Sequence, residues 1–179
     1  MEQTKKKDTA KVLYKYRSLD NFKFLVDILL NNRLYAAKYT DMNDPMEGIY
    51  CFHSGKLDEN IRKKLLGEKG KLKICSLSEV NNDILMWSHY ANGHRGVAIG
   101  VDIDDKKYEI SSIQYDGHTY ISNQNYCNQS AKEILTHKVD VWSYEKEKRI
   151  FCDSGDYIDV KIVEVITSIK MEKKEIYLI

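Results

Sequence analysis

Glu145 and Glu147 stand two residues apart in the stretch Trp142-Ser-Tyr-Glu-Lys-Glu-Lys-Arg149. If that stretch is extended, the two-residue period puts Glu145, Glu147, Arg149 and Phe151 on one face, with successive carboxylates about 7 Å apart. Two carboxylates at that separation can divide labour, one orienting a hydroxyl while the other stabilises positive charge or takes a proton. Glu145 and Glu147 are therefore candidate catalytic residues. A plainer reading of the same pattern is a solvated Glu-x-Glu-x-Arg charge ladder on an exposed strand.

His89 is the third catalytic candidate, set in the nearly all-apolar segment Ile84-Leu-Met-Trp-Ser-His-Tyr-Ala91. A lone histidine there also reads as a core residue bonded to a backbone carbonyl. His89 and His94 lie five apart with a helix end between them, which is not the spacing of a helical zinc pair, and no metal site is expected. In Lys71-Leu-Lys-Ile-Cys-Ser-Leu-Ser78 the alternation puts Leu72, Ile74, Ser76 and Ser78 on one face, which turns polar at its end as a strand entering a cleft does. Arg17, ending an earlier strand, suits bidentate grip on a phosphate or pairing with a carboxylate. Arg17, Ser76, Ser78, Glu79 and Tyr90 are the expected contacts to a nucleotide-type small molecule. Asn43-Asp44-Pro45 reads first as an Asx-type turn. No phosphate-cradling glycine loop, Gly-x-Ser-x-Gly elbow or His-Glu-x-x-His helix occurs.

The elements that must carry these residues follow from periodicity. Residues 1–10 are polar and expected to be a flexible N-terminus, with a single domain over 11–179. Lys11 to Arg17 alternates as a strand, and Ser18 is placed to cap a helix with the stripe Phe22, Leu25, Ile28 and Leu29, ending at Asn31-Asn32. Leu34 to Tyr39 reads as a second strand, and Leu57 to Leu66 as a charged surface helix broken by Gly67-Glu-Lys-Gly70. Asp83 caps a helix over Ile84 to Ala91, buried on several sides and closed by Asn92-Gly93. Val97 to Ile103 is a strand, Ile110 to Tyr115 another, and Ser130-Ala-Lys-Glu133 has capping-box spacing for a helix through about His137. Asp153-Ser-Gly-Asp156 reads as a hairpin-like turn, Tyr157 to Ile169 as a β-branched strand run, and Glu175 to Ile179 as a last strand.

Composition bounds the rest. A net charge of +1 over 179 residues gives no whole-molecule attraction to nucleic acid or anionic membranes. The charged N-terminus precedes no signal-type apolar run and nothing approaches a membrane span, so the expectation is a cytoplasmic protein without a membrane partner. Four cysteines far apart, without a Cys-x-x-Cys pair, read as reduced and mostly buried thiols. Thirteen tyrosines against one proline suit half-buried strands and cleft walls.

Taken in order, Leu13-Tyr-Lys-Tyr-Arg, Asn43-Asp-Pro, Cys75-Ser-Leu-Ser-Glu, Met86-Trp-Ser-His-Tyr-Ala with His94-Arg-Gly, and Trp142-Ser-Tyr-Glu-Lys-Glu-Lys-Arg resemble the bacterial domain-of-unknown-function family numbered 2971, over about residues 13–152. That resemblance implies little about activity. A second, weaker one reaches further. Arg17, Ser76-Leu-Ser78 and Glu145-Lys-Glu147 look like the arginine, Ser-Thr-Ser and Glu-x-Glu elements of ADP-ribosyltransferases, with Leu77 in place of the threonine. It implies that Arg17 grips the diphosphate or ribose of NAD, the substrate. Ser76 and Ser78 would support the nicotinamide pocket, Glu147 would bind a ribose hydroxyl, and Glu145 would address a protein or nucleic-acid acceptor.

The expected fold is α+β, a curved, mostly antiparallel sheet with helices packed against it, ADP-ribosyltransferase-like. The expected function is an NAD-consuming transferase or glycohydrolase, of the kind used as toxins or phage-conflict effectors. Two alternatives stand beside it: a hydrolase or nuclease built on Asp44, Glu79, His89 and Glu147, and a non-enzymatic nucleotide- or partner-binding module.

Overall fold

The computed structural model describes residues 12–53, 55–152 and 154–176. The expected flexible N-terminus lies outside them, as do Asp153 of the expected hairpin turn and residues 177–179 of the expected last strand. Strand β1 (Leu13–Arg17) leads into helix α1 (Phe22–Asn31), whose apolar stripe buries Leu25 and Ile28. Asn32, at φ 50°, ends that helix in the left-handed conformation that asparagine tolerates. Ser18 does not cap it: its hydroxyl accepts from the Asp20 amide and donates to the Asp20 carboxylate, closing a local turn.

The expected second strand divides. β2 (Arg33–Tyr35) and β3 (Ala37–Lys38) join different sheets, and Tyr39–Asp41 is a short 3-10 turn. Helix α2 (Glu59–Lys71), capped by Asp58, runs through Gly67 and Gly70 and buries Leu65 and Lys69. Packing of that face against α4 and the segment around Ile121 outweighs a glycine cost of about 1 kcal/mol each. Then come β4 (Lys73–Ser78), α3 (Ile84–Tyr90), β5 (Val97–Asp102), β6 (Ile110–Ser112) and α4 (Ser130–Ile134). Asp83 caps α3 as expected, accepting from the Leu85 and Met86 amides at 2.8 and 3.1 Å. The expected capping box at Ser130 is absent, because the helix begins at Ser130 itself and its hydroxyl accepts from Cys127 N instead.

A 3-10 helix over Asp140–Glu145 precedes β7 (Glu147–Cys152), and the last strand run is cut at Val160 into β8 (Tyr157–Asp159) and β9 (Lys161–Thr167). Lys173–Ile176 is helical, not the start of a strand. The fold is α+β. Its main sheet runs β6-β7-β4-β1-β5-β9 with β3 also on β4, antiparallel at every pairing between named strands, and β2 with β8 forms a small second sheet.

Register explains the core. Leu13 lies opposite Val101 and Arg17 opposite Val97, so Leu13, Val97, Ile99 and Val101 share one face with Cys75, Leu77 and Ile150, against α1. Tyr16 lies opposite Ala98 on the other face, where the small alanine admits Met86 and Trp87 of α3. Helix α3, expected to be buried on several sides, buries Met86 and Trp87 but leaves Ile84 and Leu85 exposed. Of the cysteines, Cys75 and Cys152 are buried and Cys51 and Cys127 exposed, so the expectation of mostly buried thiols holds for half of them.

Gly96 marks where the chain after α3 presses on β1. A β-carbon there would lie 2.1 Å from the Arg17 carbonyl oxygen and 3.0 Å from the Ala91 α-carbon, both backbone. Gly96→Ala is expected to destabilise the protein by about 1–3 kcal/mol, as overpacking does, read as a lower denaturant midpoint at unchanged m-value.

Candidate functional site

The site begins with a parting of strands. Strand β4 pairs with β7 along its whole length, from Lys73 opposite Cys152 to Ser78 opposite Glu147. Its other edge is shared: β3 pairs with Lys73 and Ile74, and β1 with Ser78 alone. Between them, the edge of Cys75 to Leu77 has no strand beside it among the described residues. Lys15 Nζ reaches across and donates to the Ser76 carbonyl at 2.8 Å, satisfying a backbone group that a ladder would otherwise take.

A cleft of about 410 Å³ fills this gap. It is lined by Arg17, Ser76, Ser78, His89, Tyr90, Glu145 and Glu147, together with Lys15, Lys138 and Glu47. Asp44 and Asn43 come from the turn opposite. Of the residues singled out from the sequence as catalytic or binding, Glu79 alone does not line it. Its carboxylate pairs with Lys148 at 3.2 Å. Asp44 accepts from the Met46 amide at 2.9 Å, as an Asx turn requires. Among the described residues no group of three or more His, Cys, Asp and Glu side chains is arranged to hold a metal ion.

The carboxylate pair differs from its expected geometry. Glu145 is not on the strand: it ends the 3-10 helix, and Lys146, at φ 41°, turns the chain before Glu147 opens β7. The two carboxylates nevertheless meet, because Lys138 Nζ lies 2.6 Å from Glu145 Oε2 and 2.9 Å from Glu147 Oε2. Neither is a solvated rung of a ladder, since Glu145 is 4 % exposed and Glu147 5 %. Arg149 Nε donates to Glu147 Oε1 at 2.7 Å, and the same guanidinium holds both oxygens of Glu47 at 2.7 Å. On the far side Tyr90 donates its hydroxyl to Glu145 Oε1. The chain of partners is thus Tyr90, Glu145, Lys138, Glu147, Arg149 and Glu47.

The two carboxylates sit in unlike fields. Burial pushes Glu145 up, and the attraction of Lys138 does not cancel it. Burial would push Glu147 up too, but Arg149 and Lys138 outweigh it and bring it down to about 2.

Across the cleft the charges are positive and poorly compensated. Burial pushes Lys15 down to about 8, with Arg17 beside it adding to the effect. Arg17 is also lowered by burial; it has no ion pair among the described residues, and its buried Nε has no hydrogen-bond partner. The buried Ser76 hydroxyl has no hydrogen-bond partner within 3.5 Å among the described residues, yet lies near enough to Glu147 to help hold that carboxylate down. Ser78 has committed its hydroxyl, donating to the Glu145 carbonyl at 2.7 Å and accepting from the Val80 amide at 3.1 Å.

His89 is exposed, not a core residue. Its ring centroid lies 6.2 Å from those of Tyr90 and Tyr144, and Trp142 extends the row at 6.1 Å from Tyr144. Lys15, Lys138 and Glu47 were not singled out from the sequence. Lys15 alternates with Leu13 and Arg17 and could have been seen with them; Lys138 and Glu47 lie in irregular segments whose pattern carries no signal.

Fold and site together define an open antiparallel α+β protein with a cleft at a parting of its sheet, one wall cationic and the other a buried carboxylate–ammonium network. Part of the chain is similar to a known family: the model described as Protein of unknown function (DUF2971) matches residues 86–150. The family resemblance read from the sequence is thus borne out over the stretch that carries His89, Tyr90, Lys138, Glu145, Glu147 and Arg149. No curated protein and no solved structure matches the chain. Among the described residues no helix is long and apolar enough to cross a membrane.

Proposed function

We propose that the cleft binds a dinucleotide of the NAD type and breaks its nicotinamide–ribose bond, passing ADP-ribose to water or to a protein or nucleic-acid acceptor. The observation that carries this reading is that Lys15 and Arg17, half-buried and in no ion pair among the described residues, face the Glu145–Lys138–Glu147 unit across one cleft. Partial desolvation of a cation that lacks an ion-pair partner is unfavourable, and a bound diphosphate offsets it. A volume of about 410 Å³ is within the range of small-molecule sites. Breaking the bond develops positive charge on the ribose, and an ionised carboxylate such as Glu147 stabilises it. An intracellular setting, as a toxin or phage-conflict effector, would supply NAD.

The test is incubation with NAD and measurement of released nicotinamide, with binding followed by calorimetry. Turnover supports the reading; no turnover and no binding ends it. A second reading, binding of the nucleotide without chemistry, is favoured by the engagement of both carboxylates with cations, and binding without turnover would select it. The hydrolase or nuclease reading is weakened by Glu79, which turns to Lys148 and lies off the cleft lining.

The cationic wall also gives a pH signature. Lys15 is protonated below about 8, so affinity for inorganic pyrophosphate should fall as pH rises through that value. Lys15→Met should lower the affinity about tenfold at pH 7, the loss of one charge-assisted hydrogen bond, and remove that pH dependence.

A further inference from the structure

We propose that Lys138 is the positioning residue that makes the two carboxylates of the cleft unlike, its single ammonium holding Glu147 committed as an anion while Glu145 is left to exchange a proton. This rests on the glycosidic-bond reading above and deepens it.

Lys138 is 6 % exposed, and its main chain is strapped on both sides, its amide donating to the Gln114 carbonyl at 2.9 Å and its carbonyl accepting from Gly117 N at 3.1 Å. The ammonium is therefore delivered to a fixed point. From the 3-10 helix it faces Glu145 and the Trp142 ring, whose centroid is 5.3 Å from Nζ, with Tyr144 further along. From β7 it faces Glu147, and Arg149 opposes it as a like charge. Tyr115, whose hydroxyl accepts from the Glu147 amide at 2.7 Å, closes the surroundings, and Tyr90 of α3 reaches them through Glu145.

Without Lys138, two buried carboxylates would share a small volume and one would be driven to hold a proton. With it, the remaining partners decide. Glu147 has the second cation, Arg149, on both of its oxygens, at 2.7 and 3.2 Å. Glu145 has a neutral phenol, Tyr90. The asymmetry thus follows from position, because one ammonium is shared and the second cation is not.

In the hydrolytic step, the bond between ribose C1′ and the nicotinamide nitrogen breaks with its electron pair leaving on nicotinamide. A water oxygen bonds to C1′, and its proton passes to Glu145 and then to solvent. The products are nicotinamide, ADP-ribose and one proton. Glu147 stays ionised throughout, which is what Lys138 and Arg149 secure.

The experiment compares the wild-type protein with Lys138→Met and Lys138→Arg. Carboxyl-carbon NMR titration of Glu145 and Glu147 reads the charge division without any substrate. Lys138→Met is expected to raise the Glu147 titration by about one pH unit or more, as loss of an adjacent cation does, and Lys138→Arg to restore it. In nicotinamide release, Lys138→Met should lower kcat about 100-fold with KM nearly unchanged and move the acid limb of kcat/KM upward. A folded Lys138→Met with both titrations at wild-type positions overturns the proposal. If that variant does not fold, Lys138→Met/Glu145→Gln restores the charge count, and a Glu147 titration there unshifted from that of Glu145→Gln alone overturns it equally. Absence of nicotinamide release from the wild type would end the glycosidic-bond reading, and with it the catalytic part of the role. The titration would still decide whether Lys138 divides the charge.

Discussion

Arg149→Met is expected to destabilise the protein by about 3–5 kcal/mol, the cost of removing one partner from a buried ion pair. Arg149 is the largest fully buried side chain among the described residues, and its guanidinium serves Glu47, Glu147 and the Leu135 carbonyl. Methionine fills similar space but leaves the Glu47 carboxylate without its bidentate partner and Glu147 with Lys138 alone. The melting temperature should drop by roughly 10 °C for a chain of this size. In the double variant Arg149→Met/Glu47→Leu, one stranded charge is gone, so part of the loss should return. Equal melting temperatures for wild type and Arg149→Met would show that the network carries no net stability.

Glu147→Gln should lower nicotinamide release by about 10²–10³-fold, the scale on which loss of one preorganised electrostatic group acts on a transition state. Glutamine keeps the shape of the side chain and removes the charge that opposes the developing cation, so dinucleotide binding should change much less than kcat. The variant also has a pH signature independent of catalysis. Glu147 titrates at about 2 in the folded protein against 4.5 for an unperturbed carboxyl. The group is depressed on folding, so its stabilising contribution is fully present above the unfolded value and is lost as pH falls from about 4.5 towards about 2. In Glu147→Gln that segment of the acid unfolding curve should flatten. An unchanged curve would mean that Arg149 and Lys138 do not hold the carboxyl down.

Local features of the chain announced themselves well. The cap at Asp83, the positive φ at Asn92 and Gly93, and the strands around Ile74, Val97 and Ile150 depend on neighbours a few residues away. Several misreadings share one origin, which is that packing overrode a local signal. Gly67 and Gly70 did not break α2, because Leu65 and Lys69 are held on its buried face. Ser18 and Ser130 have cap-like spacing, yet each hydroxyl found a nearer partner. The alternation through Glu145 and Glu147 suggested one strand face, whereas the left-handed turn at Lys146 separates a 3-10 helix from β7.

By itself, the sequence determined the α+β class, the family stretch around Met86 to Arg149, and the idea that Arg17, Ser76, Glu145 and Glu147 belong to one site. Periodicity placed Arg17 and Ser76 on strands but wrongly put Glu145 on the strand of Glu147, and the grouping of the four came from the resemblance to ADP-ribosyltransferases. Only the tertiary structure decided where the sheet parts, since β1 and β4 meet at a single residue pair and leave the cleft beside Ser76. Only it decided, too, that Lys138 and Arg149 neutralise the glutamates, with Glu47 reaching Arg149 across 102 residues of chain. Pairing of charges depends on which remote segments are brought within about 3 Å, and a local pattern carries no information about that distance.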